Sequence, residues 1–145
     1  MQQRLTFITL GVDDLSAMTK FYCNQFGWTP MMANEGIAMF RLNGIVLSLY
    51  SANELAEDIT ITNDGAGFKR MTMAINFSSE EEVNAAFIEL AAQGVRVVKA
   101  PAKVFWGGYS GYVADIENNY WELAHNPFLA MDMEGNVIDA NEEEQ

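Results

Sequence analysis

The chain runs twice through the same order of secondary-structure elements, and this order constrains its fold more than any other feature. In each half, an alternating apolar pattern typical of a strand leads into a helical pattern, and three further strand-like segments follow. Residues 12–13 correspond to residues 77–78 just before each helix, and Gly27 corresponds to Gly94 just after it. The sequence therefore predicts an α+β protein made of two β-α-β-β-β modules.

The overlay of the two halves extends to their last strands, but its offset drifts. The segment NGIVLSLY at 43–50 aligns by eye with NNYWELAH at 118–125, which pairs Leu47 with Glu122. The offset grows from 65 to 67 to 75 residues along the chain, so the duplication is a weak one.

Turn and cap residues mark the first module. Asp13 or Asp14 is placed to cap a helix that ends at Gly27, and Asn43-Gly44 is a strong hairpin signal. The apolar face of this helix is predicted to consist of Leu15, Met18, Tyr22 and Phe26. The predicted strands are 4–12, 28–34, 37–42 and 45–51.

The second module follows a polar, glycine-containing stretch at 52–67, which is interpreted as a linker. Its helix is predicted over 78–94, with Ser79 and Glu82 spaced as a capping box. The predicted strands are 69–77, 95–101, 107–115 and 120–125. We therefore expect one domain over residues 1–130, with modules at about 4–51 and 68–127, and an acidic tail over 131–145.

Charge and composition narrow the classes of partner. The chain has 145 residues and a net charge of −12, from 8 basic and 20 acidic residues. A surface this acidic repels phosphate backbones, so nucleic acid is not expected as a partner. No apolar run reaches the ~18 residues of a membrane span.

The amino terminus and the cysteine usage favour a cytoplasmic location. MQQRLTFITL lacks the basic region, long apolar run and cleavage site of a signal peptide. Cys23 is the only cysteine, which rules out an intramolecular disulfide and fits a reducing compartment.

Two motifs, together with the duplicated order, resemble the glyoxalase/bleomycin resistance protein/dioxygenase family, the vicinal oxygen chelate superfamily. LGVDDLSAMTKFYCNQFGW (10–28) is similar to the opening strand and helix of that family. GGYSGYVADIENNYWELAHNP (107–127) is similar to its closing strand pair, although the family's Asp-Pro-Asp-Gly-Asn turn is replaced by DIENN (115–119). The resemblance covers about residues 4–127. It implies that the two modules form a half-open, barrel-like cup, and that the protein is a homodimer.

The resemblance also implies where a metal would be bound in this family, on the first and last strands of each module. Carried over to this chain, these positions are Phe7, Leu47, Thr72 and Glu122. Only Glu122 is a metal ligand by chemistry, because phenyl, isobutyl and hydroxyl groups do not replace imidazole or carboxylate. We therefore predict no metal and no cofactor, and a metal-dependent dioxygenase is not expected.

Aromatic residues around Glu122 extend the candidate site. Trp106, Tyr109 and Tyr112 lie in or just before the strand that precedes Glu122, and we predict that they bind ligand together with Phe7, Leu47, Thr72 and Glu122. Three roles of Glu122 stay open: a structural group bonded to a neighbouring Tyr or Thr, an anchor for a ligand amine or amide, and a catalytic acid–base group.

The function predicted from these residues is metal-free binding of a small organic molecule in an aromatic cup. The acidic surface suits cationic ligands, which antibiotic-sequestering members of the family bind without metal. Whether the protein is an enzyme stays open. The alternative is a glyoxalase-type lyase or isomerase with Glu122 as the acid–base group. A third reading is an interaction protein whose cup is filled by side chains.

Overall fold

The computed structural model describes Gln3 and residues 6–58, 60–69 and 71–138. The chain divides into two compact units, Met1–Lys69 and Arg70–Gln145. Residues 4–5 of the predicted first strand, residue 70 of the predicted fifth strand and residues 139–145 of the predicted tail lie outside the described part.

The first unit is a four-stranded sheet with two helices. Its elements are β1 (Phe7–Val12), α1 (Leu15–Asn24), β2 (Met32–Ala33), β3 (Ile37–Arg41), β4 (Val46–Ser51) and α2 (Ala52–Asp58). The strand order is β1-β4-β3-β2. β1 and β4 run parallel, which requires the helical crossover, whereas β3 pairs antiparallel with both neighbours.

Helix α1 begins where the sequence predicts and ends at Asn24, three residues before Gly27. The Asp14 side chain accepts a hydrogen bond from the Ala17 amide at 2.8 Å, which satisfies one of the free amides of the first turn. Gly27, two residues past the cap, has a φ of 69°. The buried residues of the helix are Met18, Phe21 and Tyr22. The predicted face was thus correct at Met18 and Tyr22, while Phe21 replaces the half-buried Leu15 and Phe26.

Helix α2 corrects the prediction of a linker over 52–67. Its seven residues pack against β1 and β4. The contact is close at Gly11, where an added Cβ would lie 3.1 Å from the Ala52 Cα and 3.3 Å from the Leu55 side chain. Gly11 therefore gives α2 the room to lie on the sheet. The segment contains Glu, Leu and Ala, which favour helix. The prediction of a linker gave more weight to the polar residues that surround it.

The second unit repeats the β-α-β-β-β order. Its elements are β5 (Thr72–Asn76), α3 (Glu80–Ala92), β6 (Arg96–Lys103), β7 (Tyr109–Ala114) and β8 (Tyr120–His125). The strand order is β5-β8-β7-β6, with β5 parallel to β8 and the other pairs antiparallel. The predicted α+β class with two such modules is confirmed, and α2 is an addition to the first of them.

Two reciprocal hydrogen bonds cap the amino-terminal end of helix α3. The Ser79 hydroxyl accepts from the Glu82 amide at 3.2 Å, and the Glu82 carboxylate accepts from the Ser78 amide at 2.9 Å. Reciprocal bonds of this kind fix the start of a helix. Val83 and Phe87 are the buried residues that pack the helix onto the sheet.

The same five-residue turn occurs twice after residue 114. In 115–119, the Asp115 carboxylate accepts from the Glu117 and Asn119 amides and from the Asn119 side chain. In 132–136, Asp132 makes the equivalent three bonds to Glu134 and Asn136. The fourth position has a positive φ in both turns, 63° at Asn118 and 81° at Gly135. The predicted acidic tail therefore begins with a closed turn. An antiparallel bridge between Met131 and Val137 flanks this turn.

Candidate functional site

The sheet of the second unit has two chemically different faces. Side chains alternate along a strand, and directly opposed residues on neighbouring strands share a face. Gly111 and Leu123 are opposed, and an added Cβ on Gly111 would lie 2.6 Å from the Phe87 ring, so this face is covered by α3. Trp121 and Leu123 lie on the covered face and are 2% and 1% exposed. The opposite face carries Glu122 and is called here the Glu122 face.

The centre of the Glu122 face is a pair formed by a carboxylate and a phenol. Tyr112 on β7 and Glu122 on β8 are opposed in register, so their side chains are direct neighbours on this face. An ionised carboxylate only accepts hydrogen bonds, so the phenol is the group that can donate. Both residues are half-buried. β7 and β8 lie inside the sheet between β6 and β5, so each strand of the pair has a neighbouring strand on both sides.

The environment of Tyr112 keeps its phenol protonated. Burial raises the pKa of Tyr112 above its ordinary value of 10.0, and the negative charge of Glu122 and the hydrogen bond to it raise the pKa further. Near neutral pH the group is therefore a hydrogen-bond donor, and its oxygen keeps lone pairs that a ligand can use.

The Tyr112–Glu122 pair is part of a row of opposed residues that crosses all four strands, and Ala74 and Lys99 are the two ends of this row. Ala74 on β5 is opposed to Glu122, and Lys99 on β6 is opposed to Tyr112. Both are exposed. Thr72, the predicted site residue on β5, is opposed to Tyr120 one step along the same face. Thr72, Tyr112 and Glu122 are thus brought onto one face of the sheet.

Tyr109 does not belong to this face, which corrects the prediction. It is three residues from Tyr112, and an odd separation places two residues of a regular strand on opposite faces. The Tyr109 hydroxyl donates to the Asn84 side chain of α3 at 2.9 Å, on the covered face. It therefore links the sheet to the helix.

Trp106 lies in the turn between β6 and β7, where the Val104 amide donates to the Gly108 carbonyl and the Gly107 amide to the Val104 carbonyl. The indole lies over Gly108, because an added Cβ there would be 1.9 Å from the ring. It is 39% exposed. Trp106 thus lies at the start of a strand, as predicted. Its ring occupies the space that a side chain at position 108 would fill.

The first unit shows that the predicted equivalence of Leu47 and Glu122 is one residue out of register. Phe7 is opposed to Val46 and Leu47 to Ile8, so Phe7 and Leu47 lie on opposite faces. Leu47 is fully buried and opposed to Phe40, whose ring contacts Tyr22 of α1. It is therefore core.

The residue equivalent to Glu122 in the first unit is Ser48. Leu47 and Leu49 lie on the helix-covered face of β4, as Trp121 and Leu123 do on β8. Ser48 lies between the two leucines and is 2% exposed. The offset between the halves is thus 74 at this strand, one less than the overlay by eye gave.

The side chains at these positions do not fit the metal that the family's fold implies. Phe7, Thr72 and Ser48 offer no imidazole or carboxylate, and the neighbours of Glu122 across the sheet are Ala74 and Tyr112. In the described part of the chain, no three His, Cys, Asp or Glu side chains come together as a metal site. A single carboxylate is too few ligands for a stable divalent site.

His125 does not join Glu122 as a second metal ligand. It lies on the covered face, opposed to Tyr109. Its Nδ1 is 3.0 Å from the Phe77 carbonyl oxygen, so Nδ1 carries the proton and the ring is oriented by the backbone.

Lys99 is the charged member of the row that sequence reasoning missed. Its strand was predicted to end at residue 101, and the prediction assigned Lys99 to neither face of the sheet. The signal in the sequence was Pro101, since a proline within a strand indicates an edge or an irregularity.

The fold agrees with the comparisons to known proteins. The sequence profile of the glyoxalase/bleomycin resistance protein/dioxygenase superfamily matches residues 4–123. The chain belongs to this superfamily. No curated protein sequence matches it.

Solved structures of the family align over most of the chain. A glyoxalase-related enzyme from Fulvimarina pelagi is 34% identical, with a TM-score of 0.82 over 96% of this chain and 99% of that one. A glyoxalase/bleomycin resistance protein/dioxygenase from Nocardioides is 26% identical, with a TM-score of 0.76 over 86% and 84%. The fosfomycin resistance protein FosX from Listeria monocytogenes is 25% identical, with a TM-score of 0.68 over 88% and 97%.

Within the described residues, none of the helices has both the length and the apolar character that crossing a membrane requires.

Proposed function

We propose that this protein binds a small organic molecule on the Glu122 face without a metal ion, and that the Glu122 carboxylate anchors a cationic or hydrogen-bond-donating group of the ligand. The observation that carries the proposal is the Tyr112–Glu122 pair on the face that α3 leaves uncovered. The family hosts many chemistries on one fold, so the side chains of the site are the basis for the choice.

The Tyr112 phenol beside Glu122 is compatible with this role. A carboxylate has about four acceptor positions, and a phenol that donates to it uses only one of them. The structural role of Glu122 and its role as an anchor are therefore compatible.

The test is the isosteric substitution Glu122→Gln, assayed by calorimetry against a panel of amines and quaternary ammonium compounds. We expect affinity to fall by about 1.5–3 kcal/mol, the scale of a lost charged hydrogen-bond partner. Glu81→Gln, which removes the same charge from an exposed position of α3, serves as the control and should leave affinity unchanged. Equal ligand affinities for wild type and Glu122→Gln would contradict the proposal.

The alternative is a lyase or isomerase of the glyoxalase type. It is favoured by the same pair, since Glu122 can accept a proton from a substrate carbon while the protonated Tyr112 donates to a developing oxyanion. In that case Glu122→Gln would lower turnover by about 10²–10⁴-fold and leave binding nearly unchanged. Turnover and affinity measured on one variant thus separate the two functions.

We also propose that the protein is a homodimer that acts in the cytoplasm. Large apolar side chains are exposed in both units, among them Met31 at 53%, Phe68 at 66% and Ile88 at 72%, and an obligate partner would cover such surface. Light scattering at micromolar concentration should give twice the 16.2 kDa mass of the chain. A particle of monomer mass would contradict the dimer, and recovery of the native protein outside the cytoplasmic fraction would contradict the location.

A further inference from the structure

Four residues form a straight row across the Glu122 face, one from each strand of the sheet. Ala74, Glu122, Tyr112 and Lys99 are successive partners on β5, β8, β7 and β6. Neighbouring strands lie about 4.8 Å apart, so the Cα atoms of Glu122 and Lys99 are separated by about 10 Å, with Tyr112 between them. Opposite charges therefore stand on either side of one phenol.

A β-bulge places Lys99 in this row. Val97 is opposed to Val113, and the next pair is Lys99 with Tyr112, so Val98 is the extra residue. Regular pairing would oppose Val98 to Tyr112 and would turn Lys99 to the face that α3 covers, because a slip of one residue reverses every side chain. Bulges are known to redirect side chains in this way.

Gly111 accommodates the bulged backbone. An added Cβ on Gly111 would lie 2.6 Å from the Lys99 carbonyl oxygen and 2.8 Å from the Pro101 nitrogen. Any other residue at position 111 would therefore displace the segment of β6 that carries Lys99. The irregularity is built into both strands.

Lys99 differs from the other cations of β6, whose side chains are bonded to neighbouring side chains. Arg96 donates to the Asn118 side chain at 2.7 Å, and Lys103 forms an ion pair with Glu80 of α3. Within the described residues, the Lys99 side chain makes no hydrogen bond or ion pair. Its ammonium is thus available to a ligand.

We infer that the ligand of the Glu122 face is zwitterionic, with a cationic group bound by Glu122 and an anionic group bound by Lys99, as in an amino acid. The inference rests on the proposed function, because it assigns a second contact to the same ligand. A ligand with only a positive charge meets the repulsion of Lys99, and a ligand with only a negative charge meets that of Glu122. A ligand that carries both charges satisfies both ends of the row.

The test compares three probes of nearly equal shape by calorimetry: phenylalanine, phenylalanine methyl ester and N-acetylphenylalanine. Each derivative lacks one of the two charges, and the phenyl ring suits a face that also carries Tyr112 and Tyr120. We expect phenylalanine to bind at least about tenfold more tightly than either derivative, the lower end of the effect of one charged hydrogen bond. Absence of phenylalanine binding at about 10 mM would overturn the inference.

Two lysine variants show whether Lys99 is the cause. Lys99→Met keeps the length of the side chain, and it should abolish the preference for phenylalanine over its methyl ester while leaving binding of the ester no weaker. Lys103→Met, on the same strand but on the covered face, is the matched control and should retain the full preference.

The outcomes separate this inference from the function on which it rests. If Glu122→Gln weakens the amines but Lys99→Met leaves the ratio of phenylalanine to ester affinity unchanged, the zwitterion is refuted and anchoring by Glu122 stands. If Glu122→Gln changes the affinity of no probe, the proposed function itself fails.

Discussion

Tyr112 and Glu122 face each other across β7 and β8, and the negative charge of the carboxylate opposes ionisation of the phenol. Ten residues separate them along the chain, yet the register of one hairpin makes them direct neighbours. The turn at 115–119 sets that register, since Asp115 and Asn119 close it with buried hydrogen bonds.

The pair predicts an alkaline titration that belongs to Tyr112. Its pKa is raised, so its contribution to stability is fully present below the ordinary phenol pKa of 10.0 and is lost as pH rises through the folded value. Tyr112→Phe should therefore remove one late-ionising phenol from the ultraviolet titration and should lose less stability than wild type at alkaline pH.

Glu122→Gln refines this prediction. It removes the charge that opposes phenolate formation but leaves the burial, which is the larger cause. The Tyr112 pKa should fall and should stay above 10.0. Identical phenol titrations of wild type and Glu122→Gln would show that the pair does not form in solution.

Gly111→Ala should destabilise the protein through the bulge of β6. The added Cβ would meet the Lys99 carbonyl oxygen and the Phe87 ring at 2.6 Å each, and backbone cannot move aside as a flexible side chain can. We expect a loss of about 1–3 kcal/mol in the free energy of unfolding, the usual cost of overpacking, measured by urea denaturation.

Gly65→Ala is the matched control, because nothing lies within 4 Å of its added Cβ. Its effect should stay within about 0.5 kcal/mol. Equal stabilities of the two variants would mean that β6 does not approach Gly111 as described.

The twin turns predict opposite results for the same substitution. Asp115 is 3% exposed, and Asp115→Ala removes three hydrogen bonds from the turn, so it should lower the free energy of unfolding by about 2–3 kcal/mol. Asp132→Ala removes the same three bonds from a turn in water contact and should leave global unfolding unchanged. Thermal melts of the two variants measure the contrast, and equal shifts would contradict it.

Metal addition should not stabilise the protein. Ligands that bind only the native state raise its melting temperature, and Glu122 has no second metal-binding side chain opposed to it across the sheet. Zinc, nickel and manganese should each leave the melting temperature unchanged, and Glu122→Gln should respond in the same way. Elemental analysis that finds about one such ion per chain would refute this expectation.

Most of the fold could be predicted because its signals are local. Asp14, Ser79 and Glu82 cap their helices as their spacing indicates, and alternation alone puts Trp121 and Leu123 on the packed face. These features depend on neighbours a few residues away, which a sequence displays directly.

The site was only partly predictable because faces depend on pairing. Leu47 was matched to Glu122 by position in an overlay, and one residue of error moved it from one face of the sheet to the other. Lys99 was missed because its orientation comes from a bulge, which is a property of two strands together. Tyr109 needed only a consistent count of alternation.

The exchange of Glu122 for Ser48 at equivalent positions has a consequence for stoichiometry. A duplicated architecture offers two similar sheet faces, but α2 lies on the Gly11 end of one of them, and that face has a hydroxyl where the other has a carboxylate. The halves of the chain have thus diverged in chemistry while keeping their topology, and a calorimetric titration should saturate at one ligand per chain.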